Sequence, residues 1–380
     1  MRNDTPLDLD VLVIGGGPAG SACAIRLAHG SARVAIVEAS NFSRFRIGET
    51  LEPSVRPLLA KLGMEVGSDC RWLAPLTSVV AAWGQPSSMQ RPSILNPYGR
   101  GWRIDRKTFD HVLFDRARHA GALAFTQSRP TAGARRSGAW AFTLDTPAGF
   151  VHGRTKWIVA ATGRSASAPF APCRKRLWLD RLVGIALIAS AGEGPRSNIP
   201  AAAFVEAAPC GWWYAATIPN GGKVVVFFTD GDLLPRGKRN LAEFLFDQLA
   251  RSPLTRTGRG FVEERIGRRQ WTGFDARSGI RRTAIADGWV AVGDALMAFD
   301  PLCGRGITEA LLSGVEVADW LVQFSHTKIE GLPIWATNAA ERFNSYCVQR
   351  AAIYGAERRW GDMAFWQRRG EDRVTRVVEC

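Results

Sequence analysis

Glycines at fixed spacing make the first chemical statement in this sequence. Gly15-x-Gly17-x-x-Gly20 follows the apolar run Val11-Leu12-Val13-Ile14 and precedes Ala22, Ile25, Leu27 and Ala28, which share one helical face. In a strand, turn and helix so joined, the first glycine permits the turn and the second lets a pyrophosphate approach backbone N–H groups. The third lets the helix pack close on the strand. Val34–Val37 reads as the next strand, and Glu38 falls at its carboxyl end, eighteen residues after Gly20. A carboxylate there accepts hydrogen bonds from an adenosine ribose and repels a 2′-phosphate. The unit predicts a bound dinucleotide, FAD or NAD, which share the adenosine diphosphate half; NADP fits it poorly.

A second stretch, "WVAVGDALMAFDPLCGRGITEALLSG" at 289–314, ends a short apolar strand at Gly293-Asp294, passes Asp300-Pro301 and opens a helix on Gly304 and Gly306. A plain connection needs only a capping residue and one glycine. This one predicts bare backbone brought against a flat or anionic group.

These loops need a scaffold. Residues 106–121 place Phe109, Val112, Leu113 and Ala117 on one face of a helix that stops at a glycine. Trp157–Ala161 reads as a buried strand leading into "TGRSAS", which contains Gly163. From 182 to 229 the pattern changes to short strands, "LVGIALIAS", "AAAFVEA", "WWYAATI" and "KVVVFFT", with Pro219-Asn220-Gly221-Gly222 as a hairpin connection. Asn240 and Glu243 predict a capping box before "LAEFLFDQLAR". Residues 333–369 are helical in pattern.

The fold class expected is α/β plus β: a Rossmann-like FAD/NAD(P)-binding domain (1–75, 100–176 and 270–325) interrupted by an antiparallel-sheet substrate domain (76–99 and 177–269). A helical segment (326–380) follows.

Composition narrows the function. Of 380 residues 46% are apolar and 22% charged, ordinary for a folded chain, and no run of eighteen apolar residues is free of charge. MRNDTPLDLD runs into the first strand without an apolar signal region, so the cytoplasm is the expected location. Seven cysteines, at 23, 70, 173, 210, 303, 347 and 380, include no CxxC pair and no zinc spacing. They read as scattered buried thiols, and no metal is expected. The net charge of +14 predicts attraction to acidic partners. Its arginines come as dispersed pairs, among them Arg135-Arg136, Arg268-Arg269 and Arg368-Arg369, without a nucleic-acid-binding motif.

Four blocks in order carry a resemblance: Gly15-x-Gly17-x-x-Gly20 with Glu38; Gly48-Glu49-Thr50; Trp102-Arg103-Ile104-Asp105-Arg106 before a helix; and Gly293-Asp294 with Asp300-Pro301 and Gly304-x-Gly306. Together they resemble the flavin-dependent monooxygenases of the para-hydroxybenzoate hydroxylase fold. The resemblance implies FAD, with Asp294 at its ribityl and pyrophosphate region and Arg106 near its backbone. Gly163, Gly293, Pro301 and Ile307 complete the implied cofactor contacts. Gly304 and Gly306 would bring a helix N-terminus to the pyrimidine edge of the ring, where reduced flavin carries negative charge. Cys303 and Asp300 read as loop and turn residues.

"IGETLEPSVRPLLAKLG", "GWRIDRKTFD", "CGWWYAATIP" and "AERRWGDMAFWQRR" are most similar to the tryptophan-halogenase-like branch. Within it they resemble the flavoprotein maturases that hydroxylate a protein tryptophan during biogenesis of cysteine tryptophylquinone enzymes. Two departures argue against halogenation. The halogenase Trp-x-Trp-x-Ile-Pro motif is replaced by Trp212-Trp213-Tyr214 ahead of Ile218-Pro219, and no lysine lies between Lys61 and Lys107, where the halogenase lysine would fall.

The implied reaction takes electrons from NAD(P)H or reduced flavin, takes up O₂ and hydroxylates an electron-rich aromatic ring, for which an acidic protein or peptide suits the charge. There is no second GxGxxG for a resident nicotinamide. Glu49 and Trp213 are the candidate catalytic residues. Strand alternation lets only one of Trp212 and Trp213 face a substrate. The competing readings are hydroxylation of a free aromatic metabolite, reduction of an isoprenoid, and a non-catalytic flavoprotein partner.

Overall fold

The computed structural model describes residues 6–67, 70–85, 89–92, 98–165, 170, 172, 175–189, 201–252, 271–323 and 332–370. Cys173, Cys380 and the pair Arg268-Arg269 lie outside them. Val11-Leu12-Val13-Ile14 closes the strand Leu7–Ile14, which is flanked in parallel by Val34–Val37 and Gly149–Ala160. Central parallel strands are covered on both faces, which is why they read as unbroken apolar runs.

The sheet order is Ile285–Ala286, Trp289–Ala291, Gly149–Ala160, Leu7–Ile14, Val34–Val37 and Leu123–Phe125. Arg129–Arg136 and Ala139–Thr146 extend from Gly149–Ala160 as an antiparallel meander. Helix Arg106–His119 buries Phe109, Leu113 and Ala117 against this core and ends before Gly121.

Helices Pro18–His29 and Gly306–Gln323 lie side by side. A Cβ at Gly314 would come within 2.2 Å of the Ala19 carbonyl oxygen, so this glycine sets how near the two axes run.

The second sheet has seven strands, ordered Thr272–Asp275, Leu182–Ala189, Lys223–Asp230, Gly211–Thr217, Ala202–Ala208, Ser78–Ala82 and Met89–Pro92. The hairpin at 218–222 is present, with the Gly222 N–H donating to the Asn220 side chain at 2.9 Å. One pair departs from the antiparallel expectation. Ala202–Ala208 runs parallel to Ser78–Ala82, because these strands come from distant segments and no tight turn fixes their relative direction.

The expected capping box does not form. Gly237, at φ +91°, starts the helix Lys238–Ala250 early, so Asn240 sits within its first turn and donates to the Arg236 carbonyl, while Glu243 pairs with Arg239.

The two faces of this sheet are covered by different parts of the chain. Leu245 and Leu249 of Lys238–Ala250 pack with Trp213 and Phe227 on one face. On the other, Tyr354 from helix Leu332–Gly355 and Phe365 and Trp366 from helix Ala364–Gly370 pack with Trp212 and Phe228. Arg369 anchors the last helix by a buried ion pair, 2.8 Å, to Asp230. The thiols divide: Cys23 is fully buried, whereas Cys70, Cys210, Cys303 and Cys347 are half-buried. Among the described residues no helix is long and apolar enough to cross a membrane.

Candidate active site

A cavity of about 1270 Å³ runs from the first glycine turn to the aromatic side of the seven-stranded sheet. At one end Gly15 turns the strand into the helix at φ +112°, and a Cβ there would lie 2.1 Å from the Ala161 carbonyl oxygen. Gly17 differs. Its φ is ordinary and the nearest atom to an added Cβ is Arg46 Nη1 at 4.0 Å, so its backbone opens on the cavity. The helix Pro18–His29 that follows has no side-chain cap and no acidic residue in its first turn. Its first N–H groups are therefore available to an anion.

Glu38 lines the cavity nearby. Its carboxylate accepts from the Gly16 N–H at 2.8 Å and from the Ser40 N–H at 3.0 Å, and Arg46 donates to it at 3.2 Å. Arg46 also pairs with Asp110 at 2.9 Å, and Asp110 with Arg106 at 3.1 Å. Arg106 in turn donates to the Ile47 carbonyl at 2.7 Å. The file Glu38, Arg46, Asp110, Arg106 fixes the segment that carries Glu49. Gly48 is held at φ +114°, where a Cβ would sit 2.5 Å from Arg106 Nη1.

At the other end the strand Trp289–Ala291 leads to the turn Gly293–Ala295. Asp294 lines the cavity and pairs with Arg164 at 3.1 Å; Arg164 also donates to the carbonyls of Phe299 and Arg277. The short helix Pro301–Cys303 is capped by Asp300, which accepts from the Leu302 N–H at 2.9 Å. Gly304, at φ +66°, then delivers the chain to the helix starting at Gly306, where an added Cβ would meet nothing within 4 Å. Pro301, Gly304, Gly306 and Ile307 all line the cavity, as does Gly163.

Of the residues singled out from sequence, three stand elsewhere. Gly20 packs on the Gly15 carbonyl, where a Cβ would come within 1.9 Å, so it seats helix on strand. Gly293 is buried against Ala19 behind the turn. Trp213 points to the opposite face of the sheet, because strand alternation assigns the cavity side to Trp212 and Tyr214. Trp212 stacks on Phe228 with 4.1 Å between centroids. Asp300 is more than a turn residue: it is 1% exposed and accepts from Tyr354 at 2.8 Å, while the Trp212 indole donates to the Tyr354 hydroxyl at 3.1 Å.

Glu49 is the chemically unusual group. It lines the cavity and is fully buried; the Glu49 and Gly48 backbone N–H groups and the Tyr214 hydroxyl lie near its carboxylate, none of them at full hydrogen-bond geometry. Burial raises the Glu49 carboxyl to about 7 against the pull of the Glu49 and Gly48 backbone N–H groups and of nearby Arg106. Burial and the neighbouring carboxylate push the Tyr214 phenol up. Burial likewise raises the Cys303 thiol, to about 12, so no ready thiolate stands in the loop.

Sequence reasoning missed Arg46, Asp110, Arg164 and Tyr354. Two had a signal: Arg164 directly follows Gly163, and Asp110 lies one turn beyond Arg106.

The residues fit FAD. The Gly17 and Gly306 openings leave backbone bare, two helices begin at one cavity, and Glu49 and Tyr214 line it between these openings and the aromatic wall.

Comparison with known proteins agrees. Residues 9–90 match the pyridine nucleotide-disulphide oxidoreductase family model. LodB of Marinomonas mediterranea, a protein named as an FAD-dependent oxidoreductase, is 28% identical over 95% of this chain and 96% of its own. Among solved structures, the myxobacterial chondrochloren halogenase CndH superposes with a TM-score of 0.80 at 19% identity, covering 96% of this chain and 86% of its own. The peptidyl tryptophan dihydroxylase QhpG, essential for tryptophylquinone cofactor biogenesis, superposes with a TM-score of 0.74 at 25% identity over 96% of this chain and 79% of its own.

Proposed function

Taking the chain as an FAD-dependent oxidoreductase of the halogenase-like fold, we propose that it is a monooxygenase that hydroxylates an electron-rich aromatic ring. The proposed substrate is a tryptophan side chain of a protein or peptide, and the proposed setting is cysteine tryptophylquinone biogenesis. The observation that carries the reading is Glu49: a fully buried carboxyl with no ideal hydrogen bond, set between Tyr214 of the aromatic wall and Arg106 at the cofactor end.

Bound FAD supplies electrons, delivered by NAD(P)H or as reduced flavin, and activates O₂. The residues of this chain do the rest. Gly17, the first turn of Pro18–His29 and Gly306 hold the cofactor, with Glu38, Arg106 and Asp294 beside it. The stacked pair Trp212 and Phe228 offers a flat apolar wall to an aromatic ring, and Ile188 and Phe274 keep water from it. Replacing ring C–H by C–OH releases a proton, which a Glu49 oxygen accepts. With its carboxyl near 7, Glu49 both takes and returns protons close to neutrality.

The likeness to QhpG over 96% of the chain and the net charge of +14 support an acidic polypeptide substrate. Among the described residues, those that line the cavity include five arginines and no lysine. That favours hydroxylation over halogenation, which the sequence resemblance ties to an active-site lysine.

The test is one competition. The FAD-loaded protein receives NADH or reduced flavin, heavy-isotope O₂ and bromide, with an acidic tryptophan-containing peptide or with free indole, and products are weighed by mass spectrometry. Heavy oxygen on the peptide tryptophan is the expected result. Bromine on the ring would make the chain a halogenase; oxygen on free indole alone would move the substrate to a small metabolite. No product in any arm would sink the monooxygenase reading.

A further inference from the structure

Trp212, at the cavity wall, is the inner end of a continuous file of aromatic rings. Its ring centroid lies 6.4 Å from Trp83, Trp83 lies 5.4 Å from Trp366, and Trp366 lies 6.2 Å from Trp360. A second branch leaves through the Trp212 indole N–H to the Tyr354 hydroxyl at 3.1 Å, and the Tyr354 ring is 6.0 Å from Trp366. Trp212 and Trp366 are buried and Trp83 and Trp360 are each half-buried, so the file runs from the cavity to solvent and meets it at both Trp83 and Trp360. Apolar aliphatic or phenyl side chains could also build a core here. Neither has the low one-electron oxidation potential of an indole or a phenol, and neither continues a path for electrons.

We propose that this file is an electron-transfer path that carries one-electron oxidising equivalents out of the cofactor cavity to the surface. It rests on FAD being bound at the site and not on the hydroxylation reading, since it protects the chain whichever substrate the cavity takes.

The electrons balance as follows. A hydroxyl radical, left in the cavity when peroxide formed without substrate takes one electron from reduced flavin and splits off hydroxide, takes one electron from Trp212 and becomes hydroxide. That electron is replaced from Trp83 or Tyr354, then from Trp366, then from Trp360. As Tyr354 gives up its electron, its hydroxyl proton moves to Asp300, whose carboxylate oxygen is 2.8 Å away, and returns when Trp366 refills it. At Trp360 the Arg359 guanidinium, 4.3 Å from the ring centroid, opposes a positive charge. The indole therefore loses its N–H proton to water. The neutral radical left there is reduced by an external thiol, which gives one electron and one proton and becomes a thiyl radical.

The experiment uses the full chain loaded with FAD, without substrate, and a laser flash. Trp212 donates to the photoexcited flavin, and transient absorption follows the indole radical with and without ferrocyanide in solution. In the wild type, ferrocyanide should shorten the life of the radical. The double variant Trp83→Phe with Trp360→Phe should keep the radical and lose that response, each single variant should weaken it, and Trp212→Phe should lose the radical. A radical in the wild type that ignores ferrocyanide, or one that responds equally in the double variant Trp83→Phe with Trp360→Phe, overturns the proposal.

A second readout removes dependence on the double variant. After reduced flavin turns over in air without substrate, peptide mapping should find oxidised tryptophan chiefly at Trp83 and Trp360, and in Trp360→Phe chiefly at Trp83. Oxidation confined to Trp212 in both proteins would equally overturn it. Because neither readout needs hydroxylation, a protein that moves electrons but hydroxylates nothing would sink only the proposed function.

Discussion

Trp212 and Trp213 are neighbours in the chain and look out on opposite faces of the seven-stranded sheet. Trp212 stacks on Phe228 at 4.1 Å and lines the cavity, whereas Trp213 leans on Phe227 at 4.7 Å in the cluster that includes Leu245 and Leu249 of Lys238–Ala250. Conservative replacement separates their roles. Trp213→Phe should cost about 1–3 kcal/mol of stability and leave the KM for the aromatic substrate unchanged. Trp212→Phe should raise that KM by about tenfold, roughly 1.4 kcal/mol of lost binding. Thermal melts and substrate-dependent NADH oxidation read the two effects.

Glu49 makes stability depend on pH with a definite sign. Its carboxyl rises from the ordinary 4.5 to about 7 on folding, so between those values the folded protein holds a proton that the unfolded chain has released. The stability it contributes is complete below pH 4.5 and is lost as pH rises to about 7, a change of about 3 kcal/mol for a fully buried group. Glu49→Gln should flatten that part of the profile. Urea melts of the cofactor-free protein across this range check it; identical slopes in both proteins would refute the assignment.

The glycines of the first turn should fail in different ways. Gly15→Ala forces a side chain into φ +112° and within 2.1 Å of the Ala161 carbonyl oxygen, and should destabilise by about 3 kcal/mol or more. Gly17→Ala meets only Arg46 Nη1 at 4.0 Å. It should leave the melting temperature of the cofactor-free protein unchanged and weaken FAD by about tenfold or more, because the methyl occupies space a pyrophosphate needs. Fluorescence titration with FAD measures it.

The last helix should depend on one ion pair. Arg369 and Asp230 are each 2% exposed in their side chains and lie 2.8 Å apart. Arg369→Met should cost about 3–5 kcal/mol by leaving part of a buried charge uncompensated. Arg368, also 2.8 Å from Asp230, keeps the loss from being larger. Adding Asp230→Asn should recover part of it, and denaturant midpoints of the singles and the double give the coupling.

Sequence by itself determined what local spacing controls. The turn at Gly15 to Gly20, the strands Leu7–Ile14 and Val34–Val37, the helix Arg106–His119 and the glycine entry to Gly306–Gln323 follow from chain geometry over a few residues. Most of the cavity wall at the glycine turns was legible with them. The tertiary structure alone decided which tryptophan faces the cavity. Alternation is local, but the two faces are told apart only by what covers them, Lys238–Ala250 on one side and the helices of 332–370 on the other. It also decided the partners that hold the site: Arg164 reaches Asp294 across 130 residues of chain, and Tyr354 reaches Trp212 across 142. Such pairs leave no periodic trace, because folding brings them together only after the sheets and helices that carry them have packed.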